Sequence, residues 1–221
     1  MSTSIVTLHL FTQGIRMATS RKSYHHGDLR QSLLSTAEHL LEHNGVGAVS
    51  LREVAKAAGV SHTAPYRHFT DKNSLLAALA TIGFGRLADA VDQCVVKHPG
   101  DPVAQLSAAA HAYIDLATQH PQMTNLMFGG VLNKDECAEE LKVESERSFN
   151  SLLNVIQNGL EAKLYIEKDK QELALFAWSY VHGFSMLISA GQLGEMSNDE
   201  HTITALVNTL NQMLLNGIAK K

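Results

Sequence analysis

Apolar positions recur with helical spacing from residue 29 onward. Leu29, Leu33, Leu34, Ala37, Leu40 and Leu41 share one face of a 3.6-residue period, after Asp28 and before the stop signal Asn44-Gly45. A shorter stripe, Leu51, Val54, Ala55 and Ala58, follows Ser50, and Glu53 stands at the spacing of a capping box. Gly59 comes just past that stripe, where a left-handed residue ends a helix at least steric cost. Val60 is expected to plug the corner and Ser61 to cap again. A second short helix should run from about His62 to His68, with Pro65 tolerated in its first turns. Asp71 and Ser74 then cap a longer helix, Lys72 to Lys97, closed by Pro99-Gly100.

The pattern continues as a helix from Asp101-Pro102 to about Gln119, broken by His120-Pro121. A short helix carries Met123 to Phe128 before Gly129-Gly130, and a long amphipathic one spans Lys134 to about Leu164. Two more follow, about 169–191 and 199–217. There is no repeat, low-complexity tract or credible strand. The expected fold is all-α, about nine helices, with a three-helix head joined by a long helix to a helical body. Residues 1–26 read as a flexible extension or basic arm, with Met17 an alternative start, 27–72 as the head and 73–221 as the body.

Leu173–Gly194 carries no Asp, Glu, Lys or Arg, which raises the question of a membrane span. Ser179, His182, Gly183, Ser185, Ser189, Gly191 and Gln192 interrupt it, and no Lys/Arg cluster flanks it. A helix buried between its own core and a partner subunit accounts for the pattern without a membrane. Ile203, Leu206, Val207, Leu210, Met213 and Leu214 form an a/d-like stripe on the last helix. Two such helices from each of two subunits would make a four-helix, two-fold interface, so a homodimer is expected.

Charge separates the two ends. The 221-residue chain carries a formal net charge of −4. Residues 1–72 nevertheless hold eight Lys/Arg against five Asp/Glu, and residues 73–221 hold ten against seventeen. A basic head on an acidic body is the footprint of a protein that touches nucleic acid with one end. The two cysteines, Cys94 and Cys137, form no CxxC and suit a reducing, cytoplasmic setting. Cys137 stands among Glu136, Glu139 and Glu140, which disfavour a thiolate. The first 16 residues have no positive n-region, so no secretory signal is expected. No G-x-S-x-G, phosphate-cradling glycine loop or H-E-x-x-H occurs, so neither an enzyme nor a cofactor is expected. His39 and His43 are i, i+4, but no further ligand stands at a recognised spacing, and no metal site is expected.

Two short helices about one glycine are the grammar of a helix-turn-helix, and the chain is read as binding double-stranded DNA. The run Ser50–Leu76, with Arg67-His68-Phe69 and Lys72 ahead of Leu75-Leu76, resembles the DNA-binding head of the tetracycline-repressor (TetR) family. His26-Gly27-Asp28-Leu29-Arg30 extends the likeness upstream, over roughly residues 24–84. The resemblance implies that the second helix of the motif enters the major groove, and that the body dimerises and carries a small-molecule pocket.

The residues then divide by task. Ser50 and Lys72, at helix N-termini, are candidates for phosphates. Tyr66 and His68 resemble family positions that hold the DNA backbone. Ser61, His62, Thr63 and Ala64 open the recognition element: His62 and Thr63 can bond base edges, and the methyls of Thr63 and Ala64 can meet a thymine methyl. Arg52 and Arg67 are candidates for phosphate or guanine, while Val60 and Phe69 read as packing. Arg16, Arg21, Lys22, His25 and His26 form either a solvated tail or a minor-groove arm.

Trp178, His182 and Gly183 make a W-x-x-x-H-G arrangement, similar to a TetR subfamily whose C-terminal domain is named after those letters. Trp178 and His182 fall one turn apart on one face. Met123, Met127, Phe128, His111 and Tyr113 are expected around them as an effector pocket, the alternative being an ordinary core. The combined reading is a repressor released from a palindromic operator by a small, hydrophobic, weakly charged effector. The alternatives are a pocketless regulator that senses a protein partner, and a helical enzyme or binding module with a vestigial head.

Overall fold

Leu33, Leu34, Ala37 and Leu41 are buried on one side of α1 (His26–Asn44), as their spacing requires. They close on Val49, on Leu51 and Val54 of α2 (Leu51–Ala57), on Phe69, and on Leu75, Leu76 and Leu79 of α3 (Lys72–Lys97). The computed structural model describes residues 26–132, 139–194 and 200–219. The expected arm Arg16–His25, the helix start at Lys134 and Cys137 lie outside them, and the His26 side chain is not described. Arg30 sits 5.5 Å over the Phe69 ring, adding a cation–π contact at the rim of this small core.

The caps fall where the sequence puts them. The Ser50 hydroxyl accepts the Glu53 N–H at 3.2 Å. Gly59, at φ +68°, closes α2 in a Schellman arrangement: Val60 N–H donates to Ala55 O at 3.0 Å and Gly59 N–H to Lys56 O at 3.2 Å. Asp71 and Ser74 form a full capping box at the start of α3.

One expected helix is different. Between His62 and His68 the chain forms turns and a short 3-10 segment, Pro65–Arg67, in place of an α-helix. Pro65 offers no N–H to the Ser61 carbonyl, which takes the Ala64 N–H at 2.9 Å instead. The next bonds, Arg67 N–H to Ala64 O and His68 N–H to Pro65 O, keep the same three-residue step. Ser61 does not cap; its hydroxyl lies 3.3 Å from that of Thr63. The described residues therefore form eight α-helices and two 3-10 turns, the other being Val46–Ala48.

The body adds α4 (Pro102–Gln119), α5 (Pro121–Phe128), α6 (Glu139–Glu161), α7 (Lys170–Ser189) and α8 (Glu200–Ile218). α4 is central, touching α3 and every other body helix. α3 is long and apolar enough to cross a membrane, but its apolar side is packed against α4, α5 and α6. The stripe expected on α8 splits between two sides. Val207 and Leu214, with Asn211 and Ile218, turn into the chain's own core, while Leu206 and Leu210 are half-buried and Met213 is exposed. At about 100° per residue the stripe is roughly 120° wide, and α4 covers only the edge that carries Val207 and Leu214.

Tyr165 latches the ends of the body together. It is buried, its hydroxyl donates to Pro102 O at 3.0 Å, and its ring lies on Gly159 of α6. The adjoining Ile166 N–H donates to Ile218 O at 2.7 Å. A Cβ on Gly159 would run into the Tyr165 ring, whereas one on Gly47 would meet nothing. Gly159→Ala is therefore expected to lower unfolding free energy by about 1–3 kcal/mol through overpacking. Urea titration of Gly159→Ala beside Gly47→Ala checks this, and equal midpoints would contradict it.

Candidate functional site

The motif brings its polar residues to one end of the molecule. Arg52 and Lys56 on α2, and Ser61, His62, Thr63 and Arg67 beyond the turn, are all exposed; Ser50 and Ala64 are half-covered. Tyr66 is 59% exposed, too open for a core tyrosine. Pro65 and Phe69 are buried beneath this surface and fix it to the head. The 3-10 segment thus holds out a short, stiff corner with Thr63 at its entry.

Two expected contacts are turned inward. The Lys72 ammonium donates to Val46 O at 3.0 Å, tying the start of α3 to the turn before α2. His68 is half-buried, and its Nε2 is enclosed without a hydrogen-bond partner among the described residues. His39 and His43 stack at 4.0 Å on the outside of α1, with His43 Nδ1 against the His39 carbonyl.

A cavity of about 930 Å3 opens in the body. Phe84, Leu87 and Val91 of α3 form one wall, and Leu106, Ala109 and Tyr113 of α4 another. Met127 and Phe128 close it from α5, Leu141, Ser145, Ser148 and Phe149 from α6, and Trp178 and His182 from α7. Five of the seven residues expected from the sequence are in this wall. Phe128 is its hub, with ring centroids 5.2 Å from Phe84, 5.7 Å from Trp178 and 5.1 Å from His182. Two of the three are edge-on, a favoured aromatic geometry, and the Trp178 pair is tilted.

Two expected residues are not in the wall. His111 lies two positions from Tyr113, about 200° around the helix, so the two cannot share a face. It turns to α8, with its Nδ1 2.9 Å from Ser107 O and 3.4 Å from Asn211 Nδ2. Met123 is buried one turn before Met127 and lies against Gly83 of α3. The α6 wall was missed, although its amphipathic spacing carried the signal.

The polar feature inside the cavity is a paired Tyr113 and His182. Tyr113 Oη lies 2.8 Å from His182 Nδ1. Burial pushes the Tyr113 phenol up to about 12, partly opposed by the nearby Trp178 indole N–H. Burial pushes the His182 imidazole down, toward its neutral form.

One contact between the head and this cavity has no sequence signature. Glu42 of α1 accepts the N–H of Met123 at 2.9 Å and of Gln122 at 3.3 Å, capping α5 from another helix. Its side chain is only 16% exposed, and His120 Nδ1 stands 4.0 Å away. A carboxylate on the free N–H groups and positive end of α5 is a charge-assisted cap. The other end of the same short helix is Met127-Phe128, in the cavity wall. A second strap, Glu38 to Arg86, joins α1 to α3 in a bidentate pair.

Comparison with known proteins agrees with both halves. The family profile described as "Bacterial regulatory proteins, tetR family" matches residues 33–79, and that described as "Tetracyclin repressor-like, C-terminal domain" matches residues 106–210. The HTH-type transcriptional regulator AcrR of Shigella flexneri is 27% identical over 144 residues, 62% of this chain and 66% of AcrR. The aligned stretch thus spans just under two thirds of that relative. A solved structure of a protein of unknown function from Rhodococcus sp. RHA1 is 32% identical, covers 90% of this chain and all of its own, and superposes with a TM-score of 0.79. The TetR-family regulator PfmR of Thermus thermophilus, 18% identical over 83% of this chain and 97% of its own, shares the fold with a TM-score of 0.62. The head motif, the all-helical body and the two matched profiles together make this chain a member of the TetR family of bacterial regulatory proteins.

Proposed function

We propose that this protein is a cytoplasmic, homodimeric transcriptional regulator, a repressor that leaves a palindromic operator when a small hydrophobic ligand enters the body. One observation carries the reading: α3 begins in the capping box behind the exposed motif and continues, unbroken, into the wall of the cavity. A head of residues 27–72 reads DNA, and a body of 73–221 binds effector and dimerises. A ligand that fits better when α3 and α5 shift draws the population away from the spacing of successive major grooves, about 34–36 Å. A cavity of about 930 Å3 supports ligand sensing over partner sensing.

The route from ligand to head runs through α5. A ligand pressing on Phe128 displaces an eight-residue helix whose far end is held by Glu42 of the head. Glu42→Ala frees that end. Ligand affinity should then stay within about threefold, while the factor by which ligand weakens DNA binding should fall at least about fivefold, within the usual range of allosteric coupling. Gel shifts with and without ligand measure both, and unchanged coupling would remove Glu42 from the route.

The outer side of α7 supplies the dimer surface. Leu175, Phe176, Ser179, Gly183, Met186 and Leu187 are exposed there without a charge among them. A Cβ on Gly183 would meet nothing within the chain, so the monomer tolerates a larger residue at that position. Gly183→Arg should sediment as a monomer with unchanged helicity and collapsed operator affinity; a tight dimer would refute the assignment.

The overall reading is tested by selecting bound duplexes from a random pool, which should return a palindrome. On that operator, Thr63→Ala or His62→Ala should cost about 1–3 kcal/mol and relax one base position per half-site. Equal losses on operator and random DNA would take both residues out of base reading.

A further inference from the structure

The cavity has apolar walls, and few of the polar side-chain atoms in its described lining are left to donate to a ligand. Ser145 donates its hydroxyl proton to Lys142 O at 2.9 Å and Ser148 to Ser145 O at 2.8 Å, so both can only accept. A phenol is a far stronger acid than the N–H of a neutral imidazole, so the Tyr113 proton is directed to His182 Nδ1 at 2.8 Å. A neutral imidazole that accepts at Nδ1 carries its proton on Nε2, and among the described residues no partner takes that N–H. The Tyr113–His182 pair thus orients one donor at the cavity wall, beside the Phe128 ring 5.1 Å from the imidazole. Lys142 and Glu139 also line the cavity, but both are exposed at its rim, solvated and opposite in charge.

Building on the reading of the cavity as an effector site, we propose that it takes a neutral, largely apolar, ring-containing ligand anchored by a hydrogen-bond acceptor, a carbonyl or ether oxygen, on the Nε2–H of His182. The aromatic hub supplies stacking surface, and the imidazole supplies the one oriented polar contact. A free carboxylate or ammonium would lose its hydration against walls with no buried counter-charge among the described residues. Tyr113 is a positioning residue: it fixes which imidazole nitrogen holds the proton.

Equilibrium dialysis with four probes of one shape class tests this: 2-acetylnaphthalene, 2-isopropenylnaphthalene, 2-naphthoate and 2-naphthylmethylammonium. The ketone should bind about tenfold tighter than the matched alkene, and both charged probes more weakly than the ketone. In His182→Phe the ketone preference should fall to about one while the alkene binds within about threefold of the parent. Tyr113→Phe should reduce the preference only partly, and 15N spectra of the parent should place the His182 proton on Nε2. Equal binding of ketone and alkene, or a preference that survives His182→Phe, overturns the inference. So does tightest binding of the carboxylate with loss in Lys142→Ala, since the anchor would then be at the rim. If none of the four binds, the cavity reading falls with it; alkene binding without a ketone preference leaves that reading standing and removes only the anchor.

Discussion

Everything in this molecule hangs on the continuity of α3. Its 26 residues form one uninterrupted helix, about 39 Å long at 1.5 Å per residue. Leu75, Leu76 and Leu79 at its start belong to the core of the head, and Phe84, Leu87 and Val91 further on belong to the wall of the cavity. A helix is stiff over that length, so neither end can reorient without carrying the other. The capping box of Asp71 and Ser74 and the Lys72 bond to Val46 fix its first turn to the motif. Close packing on α4, α5 and α6 fixes the rest.

That constraint explains why the straps between head and body matter. With α3 as a rigid rod, the head keeps its angle through α1, which is held at Glu38 to Arg86 and at Glu42 to the start of α5. α5 is the weak member: eight residues between Pro121 and Gly129, too short to be stable without its packing and its borrowed cap. It is also the element that presents Phe128 to the cavity. A ligand in the cavity would therefore meet the shortest of the described body helices, and that helix is bonded to the head at Glu42.

Most of this architecture could be read from the chain. The bounds of α3 and α4, the caps at Ser50 and Asp71, and the turn at Gly59 follow from local chemistry, since each depends on residues within a few positions of itself. Trp178 and His182 were legible as one face of a helix, and Tyr113, Met127 and Phe128 join them. The misreadings come from facts that are not local. Pro65 looked tolerable at a helix start, yet the missing N–H left the segment as turns around a three-residue 3-10 step, Pro65–Arg67. His111 and Met123 sit near the right residues in sequence but on the wrong faces, and Asn211 and Gly83 receive them. Glu42 looked like any surface carboxylate on α1; its role depends on where α5 begins, about 80 residues later in the chain.

The central claim is that the cavity and the DNA-facing end share one equilibrium, and such coupling is reciprocal: whatever factor a ligand takes from DNA affinity, DNA must take from ligand affinity. Trp178, the only tryptophan in the chain, stands in the cavity wall and reports occupancy directly. The decisive measurement titrates a cavity ligand, chosen as the neutral aromatic compound that quenches Trp178 most strongly, with and without saturating operator duplex. The account predicts that operator weakens ligand binding at least about fivefold, by the same factor that ligand weakens operator binding. Identical ligand affinity in the two titrations would contradict it.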